Sequence, residues 1–188
     1  RGDAKIRWIG CLHCWLINDL CMISHLDLFA GIGGFSLALD NVYGKENTEH
    51  VFVENDIFCQ AVLRKHWPQA EIHGDIREFV ANARSKKQRG LSGGGREAIS
   101  ETGEVHILTG GFPCQSFSQA GKRRGTADAR WLWPEMFQVI QLTKPKWVIA
   151  ENVRGLITWN KGMAFETVCT DLERENYAVQ PFIIPACA

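Results

Sequence analysis

The sequence predicts an α/β fold built on an open, doubly wound, mostly parallel β-sheet with helices on both faces. Short apolar runs alternate with helix-like segments along most of the chain, and a glycine-rich turn directly follows the first apolar run. The chain has 188 residues, of which 45% are hydrophobic and 22% are charged. This size and composition are typical of one globular domain with a substantial core.

The predicted strands are short runs rich in β-branched and aromatic residues. They cover residues 25–29, 51–54, 71–73, 105–109, 147–150 and 178–184. The predicted helices cover residues 35–42, 57–66, 76–83, 133–142 and 163–175. Pro68 ends the second helix, and the last helix carries Phe165, Val168 and Leu172 at three-to-four spacing. In this architecture ligands bind beyond the carboxyl ends of the strands.

Charge and hydropathy narrow the function classes. The 21 Lys and Arg balance the 21 Asp and Glu, so net charge gives no sign of a polyanion-binding protein and only local basic runs can contact phosphates. No run approaches the roughly 18 consecutive apolar residues of a membrane helix. We therefore expect a soluble protein with no membrane partner. We also expect it to be cytoplasmic and monomeric.

The cysteines indicate a reducing compartment. There are seven, an odd number, scattered through a chain that is too large to need disulfide staples. Cys11, His13 and Cys14 could form half of a zinc site, but the second close pair that such a site needs does not follow. We expect no metal site.

The order of the predicted elements defines the domain organisation. Residues 1–21 show no helical or strand periodicity and are expected to be an extension outside the fold, while residues 22–188 form the domain. Residues 84–104 are rich in Gly, Ser and basic side chains and are expected to be a flexible insertion, either a solvated loop or a phosphate contact. The chain stops directly after an apolar run, so we expect the C-terminal part of the fold to be missing.

A glycine-rich turn forms the first half of a candidate site. Residues 27–35 read DLFAGIGGF, and the glycines allow a tight turn with backbone amides open to a ligand. Glu54 ends the second strand, where an acidic side chain can accept hydrogen bonds from ribose hydroxyls. Asp75 follows the third strand, where it can reach an adenine amino group or cap the next helix. These residues predict an adenosine-containing cofactor, either a dinucleotide or S-adenosylmethionine.

A thiol and a carboxylate form the second half. The fourth predicted strand runs into Gly110-Gly111-Phe112-Pro113-Cys114-Gln115-Ser116-Phe117-Ser118, a polar loop that offers Cys114 little apolar packing. The fifth strand ends in Glu151-Asn152-Val153. Because parallel strands end at one edge of a sheet, the Cys114 thiol and the Glu151 carboxylate are expected to converge beside the cofactor.

These motifs, in this order, resemble those of DNA cytosine-5 methyltransferases. The resemblance rests on DLFAGIGGFSLAL at residues 27–39, Glu54, Gly74-Asp75-Ile76, GFPCQSFS at residues 111–118 and Glu151-Asn152-Val153, and it spans roughly residues 24–184. The Pro-Cys-Gln and Glu-Asn-Val elements distinguish this family from other cofactor-binding proteins, since many cofactor-binding folds share a glycine-rich turn. The resemblance implies a Rossmann-like methyltransferase fold.

The resemblance also implies a reaction. Cys114 attacks carbon 6 of a cytosine, and carbon 5 then accepts a methyl group from S-adenosylmethionine. Glu151 contacts the exocyclic amine and nitrogen 3 of the ring, which favours a Glu whose proton affinity is raised by burial. The cytosine has to be flipped out of duplex DNA. Gln115, Ser118 and the basic run Lys122-Arg123-Arg124 lie on the loop that closes over DNA.

For the cofactor, the resemblance implies a further set of binding residues. These are Phe29, Gly31, Ile32, Gly33, Gly34, Glu54, Asn55, Asp75, Ile76 and Pro113. Asn55 stands where some relatives carry an aromatic stacking residue, so Ile76 or Ile57 would supply the apolar adenine platform.

The family pattern continues beyond this chain. An Arg-containing motif, a target-recognition region and a C-terminal helix do not appear before Ala188, so the target DNA sequence cannot be read. The leading hypothesis is a bacterial or phage DNA methyltransferase, with a restriction endonuclease as a candidate partner in the same system. The alternatives are an inactive cofactor- or DNA-binding remnant, or a nicotinamide-dependent oxidoreductase.

Overall fold

The computed structural model describes residues 22–88, 104–113 and 131–184. Within them, five parallel strands form one sheet in the order β3-β2-β1-β4-β5. The strands are β1 (Ile23–Leu28), β2 (Thr48–Val53), β3 (Glu71–His73), β4 (Ile107–Gly110) and β5 (Trp147–Ala150). The predicted α/β class and parallel sheet are confirmed.

Helices flank the sheet on both faces. They are α1 (Gly34–Tyr43), α2 (Ile57–His66), α3 (Ile76–Gln88), α4 (Trp133–Thr143), α5 (Gly155–Thr158) and α6 (Met163–Arg174). Two short 3₁₀ helices, Lys45–Asn47 and Trp159–Gly162, complete the described elements. None of the helices in the described ranges is long and apolar enough to cross a membrane.

The two faces of the sheet differ in polarity because side chains alternate along each strand. One face packs apolar side chains from β1, β2 and β4 against α3, α4 and α6 in the main core; examples are Leu26, Val51, Leu108, Met136 and Val168. The other face, beneath α1 and α2, carries Phe52 but also the buried polar side chains His25, Asp27, His50 and Thr109. Parallel strands are usually apolar on both faces, so this second face is unusual.

The predicted sixth strand at residues 178–184 is wrong. The chain makes no strand there, and Phe182, Ile183 and Ile184 are each more than 70% exposed. Tyr177 still anchors the start of the segment, since its hydroxyl donates to the Pro145 carbonyl at 2.7 Å. This apolar run pairs with no strand among the described residues, and its last side chains are exposed to solvent instead.

The predicted helix 76–83 is too short, and the structure describes the predicted insertion 84–104 at its two ends only. Helix α3 continues to Gln88, because Lys and Gln favour helix as strongly as the residues before them. At the other end, the Glu104 carboxylate pairs with the Lys146 ammonium at 3.2 Å. The remaining insertion residues, the extension 1–21 with its cysteines, and the end 185–188 lie outside the described residues.

Candidate active site

All five strands end at the same edge of the sheet, and each end carries residues of the candidate site. The register aligns Leu28 of β1 with Val53 of β2 and Gly110 of β4, and Gly110 with Ala150 of β5. The residues that follow the strands therefore lie at neighbouring positions, as predicted for a ligand site in an open α/β sheet. They are the turn after β1, Glu54, Asp75, Gly111 and Glu151.

The turn after β1 combines backbone strain with open space. Phe29, Gly31 and Gly33 have φ angles of 56°, 56° and 88°, and a non-glycine residue such as Phe29 adopts this region only at a cost. A Cβ atom added at Gly31 or Gly34 would meet nothing within 4 Å. Ile32 is 61% exposed. The turn thus presents bare backbone to solvent, which suits a ligand that approaches the main chain closely.

Glu54 joins this turn to the turn after β2. One carboxylate oxygen accepts from the Gly31 amide at 2.7 Å and the other accepts from the Asp56 amide at 2.8 Å. Gln60 donates from Nε2 to the Glu54 carbonyl at 2.6 Å, which fixes the backbone as well. Each carboxylate oxygen retains a second lone pair, so Glu54 can hold the turns and still accept from ribose hydroxyls.

Asp75 caps helix α3. Its Oδ1 accepts from the Arg77 amide at 2.6 Å, which favours the capping alternative without removing the second carboxylate oxygen from the site edge. Ile76 is 4% exposed and packs in the main core, whereas Ile57 is 81% exposed beside Asn55. Of the two apolar residues considered for the adenine platform, Ile57 is the accessible one.

Glu151 lies beside the chain that leads to the predicted nucleophile. Its Oε2 would be 3.2 Å from a Cβ atom at Gly111, two residues before Pro113. Its side chain is exposed, so the described residues do not supply the burial that the resemblance implies for this carboxylate. Cys114, Gln115 and Ser118 lie outside the described residues, as does the basic run 122–124.

Asn152 is a site residue that the sequence reasoning did not assign. Its Nδ2 donates to the Phe112 carbonyl at 3.0 Å, and its Oδ1 accepts from the Val153 amide at 3.0 Å. Phe112 itself is buried against Trp131 and Trp133, with ring centroids 5.6 Å and 5.4 Å away. Phe112, two residues before Cys114, is therefore held through both its carbonyl and its ring. The sequence signals for Asn152 were its position after a strand and its place in the Glu-Asn-Val motif.

A buried acid behind the glycine-rich turn was also missed. The Asp27 carboxyl lies 2.6 Å from the Thr109 hydroxyl and 3.0 Å from the Ser36 hydroxyl, which donates to it. Burial raises the pKa of Asp27 to about 6, with a smaller contribution from nearby Glu54, although the two hydroxyls oppose the shift. In the part of the chain described, no group of three or more His, Cys, Asp or Glu side chains could hold a metal ion.

The residues at this edge fit an adenosine-containing cofactor. The fit rests on the open backbone at Gly31 and Gly34 and on a carboxylate, Glu54, held at the adjacent strand end. A model of the family described as C-5 cytosine-specific DNA methylase matches residues 23–188. The chain belongs to this family. The resemblance inferred from the motifs is confirmed.

Type II methyltransferases from several bacteria are similar to the chain. The type II methyltransferase M.Sau96I of Staphylococcus aureus is 35% identical over 158 residues, which are 81% of this chain and 32% of the relative. M1.ScrFI of Lactococcus lactis subsp. cremoris is 34% identical over 163 residues, 86% of this chain and 36% of the relative. M.AquIA of Picosynechococcus sp. is 34% identical over 150 residues, 78% of this chain and 54% of the relative.

The chain spans about one third of the length of the first two of these relatives. Among solved structures, the Cj0485 dehydrogenase aligns over 84% of this chain and 67% of its own, with a TM-score of 0.49 and 11% identity, a likeness too weak to bear on function. Family membership thus favours the methyltransferase hypothesis over the oxidoreductase alternative.

Proposed function

We propose that this chain is the cofactor-binding and catalytic part of a DNA cytosine-5 methyltransferase that uses S-adenosylmethionine. The main support for this proposal is the family match over residues 23–188. The pairing of β4 with β5 as neighbouring parallel strands adds to it. That pairing places Glu151 against Gly111, in the segment that leads to Cys114. Gly111 and Glu151, one described residue from each of the two motifs that carry the resemblance, thus lie at one edge of the sheet.

Cys114 is the proposed nucleophile. Its thiolate forms a bond to carbon 6 of the target cytosine, and Glu151 donates a proton to nitrogen 3, so that negative charge does not build up on the ring. Carbon 5 thereby becomes electron-rich. After methyl transfer, removal of the carbon 5 proton breaks the bond to sulfur and restores the aromatic ring. Asn152 positions this loop through the Phe112 carbonyl.

S-adenosylmethionine supplies an activated methyl group on a positively charged sulfur. The residues proposed to hold it are the Phe29–Gly34 turn, Glu54 at the ribose, Asp75 at the adenine and Pro113 beside the reacting centre. Ile57, which is exposed, is the proposed apolar contact for the adenine, next to Asn55.

The proposed substrate is a cytosine flipped out of duplex DNA, since carbon 6 is shielded within stacked bases. Gln115 and Ser118 are proposed to contact the DNA. The relatives M.Sau96I and M1.ScrFI are named type II methyltransferases, and a restriction endonuclease is the corresponding proposed partner for this protein.

The test is transfer of a tritiated methyl group from S-adenosylmethionine to mixed-sequence DNA by the full-length protein. Incorporation into cytosine, abolished in Cys114→Ala but retained in the matched variant Cys59→Ala on helix α2, is the expected result. Incorporation that survives Cys114→Ala, or label on adenine, contradicts the proposal. The 188-residue chain alone is expected to show no incorporation, because it spans about one third of comparable methyltransferases.

A further inference from the structure

A continuous chain of polar side chains, all of them buried except the half-buried Asp40, runs behind the glycine-rich turn on the sheet face beneath α1 and α2. It joins Asp40, His50, His25, Thr109 and Asp27 through four contacts of 2.6 to 2.8 Å. The histidines, Thr109 and Asp27 are at most 5% exposed. None of these side chains has a role in the reaction proposed above.

The four contacts require more hydrogens than the side chains ordinarily carry, because each contact needs one hydrogen between its two atoms. The contact between His50 Nε2 and Asp40 Oδ1 uses the hydrogen of His50, so His50 Nδ1 accepts from His25 Nδ1. His25 Nε2 then needs the single hydroxyl hydrogen of Thr109, and an ionised Asp27 needs the same hydrogen. With neutral imidazoles and ionised carboxylates, the side chains supply three hydrogens for the four contacts, one fewer than needed.

The surroundings place the additional proton on Asp27. Burial, followed by the charge of neighbouring His50, lowers the pKa of His25 to about 3, and burial also lowers the pKa of His50. Burial opposes ionisation of Asp40, but hydrogen bonds from Thr48, His50 and Trp67 keep its pKa below the ordinary value. Asp27 alone among these groups has a raised pKa.

The charged and polar groups around Asp27 come from helix α1, from strands β1 and β4, and from the residue after β2. Ser36 of α1, Thr109 of β4 and His25 of β1 lie within the chain of contacts or beside it. Glu54, after β2, raises the pKa of Asp27 further through its negative charge. Burial and the charge of Glu54 outweigh the two hydroxyls, which favour the ionised form, so the neutral form of Asp27 is stabilised.

Both ends of the chain of contacts reach the glycine-rich turn. Asp27 lies on β1, two residues before Phe29 of the turn. At the other end, Asp40 Oδ2 accepts from Trp67 Nε1 at 2.8 Å, and the Trp67 ring lies so close to Gly33 that a Cβ atom there would be 2.5 Å from it. The position of the turn therefore depends on the side chains behind it.

We propose that this chain of contacts, from Asp40 to Asp27, positions the glycine-rich turn. All four contacts are made only when Asp27 carries a proton. The protonated carboxyl donates to Thr109 Oγ1, and Thr109 donates to His25 Nε2, so that every contact is made. Ionisation of Asp27 removes one hydrogen, breaks one contact and leaves a buried charge. Resting on the proposed function, the consequence is that S-adenosylmethionine binds more weakly as pH rises through the titration of Asp27.

A pH titration followed by NMR tests the positioning role on the full-length protein without cofactor. The Gly33 amide and Trp67 indole resonances should titrate near pH 6 in the wild type and stay flat in Asp27→Asn, whose amide donates to Thr109 as the protonated acid does. The matched control Asp56→Asn, an exposed acid near the turn, should titrate like the wild type. An unchanged titration in Asp27→Asn, or a doubly protonated His25 or His50 at pH 6, overturns the proposal.

Calorimetry with S-adenosylmethionine at pH 5.5 and pH 8 tests the consequence. Loss of one hydrogen bond predicts about fivefold weaker binding at pH 8 in the wild type and equal binding at both pH values in Asp27→Asn. Equal pH dependence in the two proteins overturns the link to the cofactor. If neither protein binds at either pH, the proposed function fails, while the NMR titration still decides the positioning role.

Discussion

Glu54 uses both oxygens of one carboxylate to tie together the two turns that border the cofactor site. The bonds to the Gly31 and Asp56 amides keep a charged side chain at 8% exposure. A buried carboxylate of this kind has a structural task as well as a proposed binding task. Any variant at this position must therefore be judged against one that disturbs the same turn without touching the ligand.

We expect Glu54→Ala to weaken S-adenosylmethionine binding by about 1.5–3 kcal/mol, the range for hydrogen bonds to a charged group. Calorimetry on the 188-residue chain measures this. Asp56→Ala is the control, because it removes the helix cap on the Cys59 amide and should cost about 1 kcal/mol of stability with little change in affinity. Equal affinity of folded Glu54→Ala and wild type would remove Glu54 from the site.

Motif spacing predicted Glu54 and Glu151 because both follow directly from a strand end. It did not predict the role of Asn152 or the Asp27–Thr109 contact, because these depend on partners up to 82 residues away in sequence. Which strands become neighbours decides such contacts, and short-range periodicity carries no information about that order. Helix caps such as Asp75 fall between the two cases, since a cap and a ligand contact share one sequence signature.

At the scale of elements, the join between β1 and α1 depends on Gly33. Its φ of 88° lies in the left-handed region, and the Trp67 ring occupies the space that a side chain would need. Gly34, the next residue, begins α1 and has open space around it. Gly33 therefore has no room for a side chain, whereas the adjacent Gly34 does.

We expect Gly33→Ala to lower the free energy of unfolding by about 2–4 kcal/mol, from left-handed strain plus overpacking against Trp67. Gly34→Ala should leave stability unchanged or raise it by up to about 1 kcal/mol, because alanine favours a helix. Urea denaturation of both variants measures the difference. Similar losses in both would show that Trp67 does not pack on Gly33 in solution.

The five confirmed strands and most helices could be predicted because their apolar patterns are strong and local. Strands β3 and β5 and helix α2 have the predicted bounds. The run Phe182-Ile183-Ile184 has an equally strong pattern but no neighbouring strand to pair with among the described residues. Pairing, unlike periodicity, is a property of the assembled sheet.

At the scale of the whole molecule, one face of the sheet is apolar and the other contains offsetting ionisable groups. Burial depresses the pKa of His25 to about 3, so its contribution to stability is present above the unfolded pKa of about 6.5 and is lost as pH falls. The raised pKa of Asp27 acts in the opposite sense. Its contribution is present below about pH 3.8 and is lost as pH rises through about 6.

Between pH 4.5 and 6, the pH-dependent contributions of His25 and Asp27 to the free energy of unfolding should nearly cancel in the wild type. In Asp27→Asn only the His25 contribution remains, so the free energy of unfolding should fall more steeply on acidification, by about 1.4 kcal/mol per pH unit relative to wild type. In His25→Gln the difference from wild type should have the opposite sign. Urea denaturation at pH 6.0 and 4.5 checks both, and parallel pH profiles for all three proteins would contradict the offset.

The central claim is that Cys114 of this methylase-family chain attacks a cytosine in DNA. The most direct measurement is covalent trapping of the full-length protein on duplex DNA containing 5-fluorocytosine, because fluorine cannot leave carbon 5 as a proton does and the adduct persists. With S-adenosylmethionine present, we expect a denaturation-resistant protein–DNA complex for the wild type and none for Cys114→Ser. A stable complex formed by Cys114→Ser would place the nucleophile elsewhere and contradict the account.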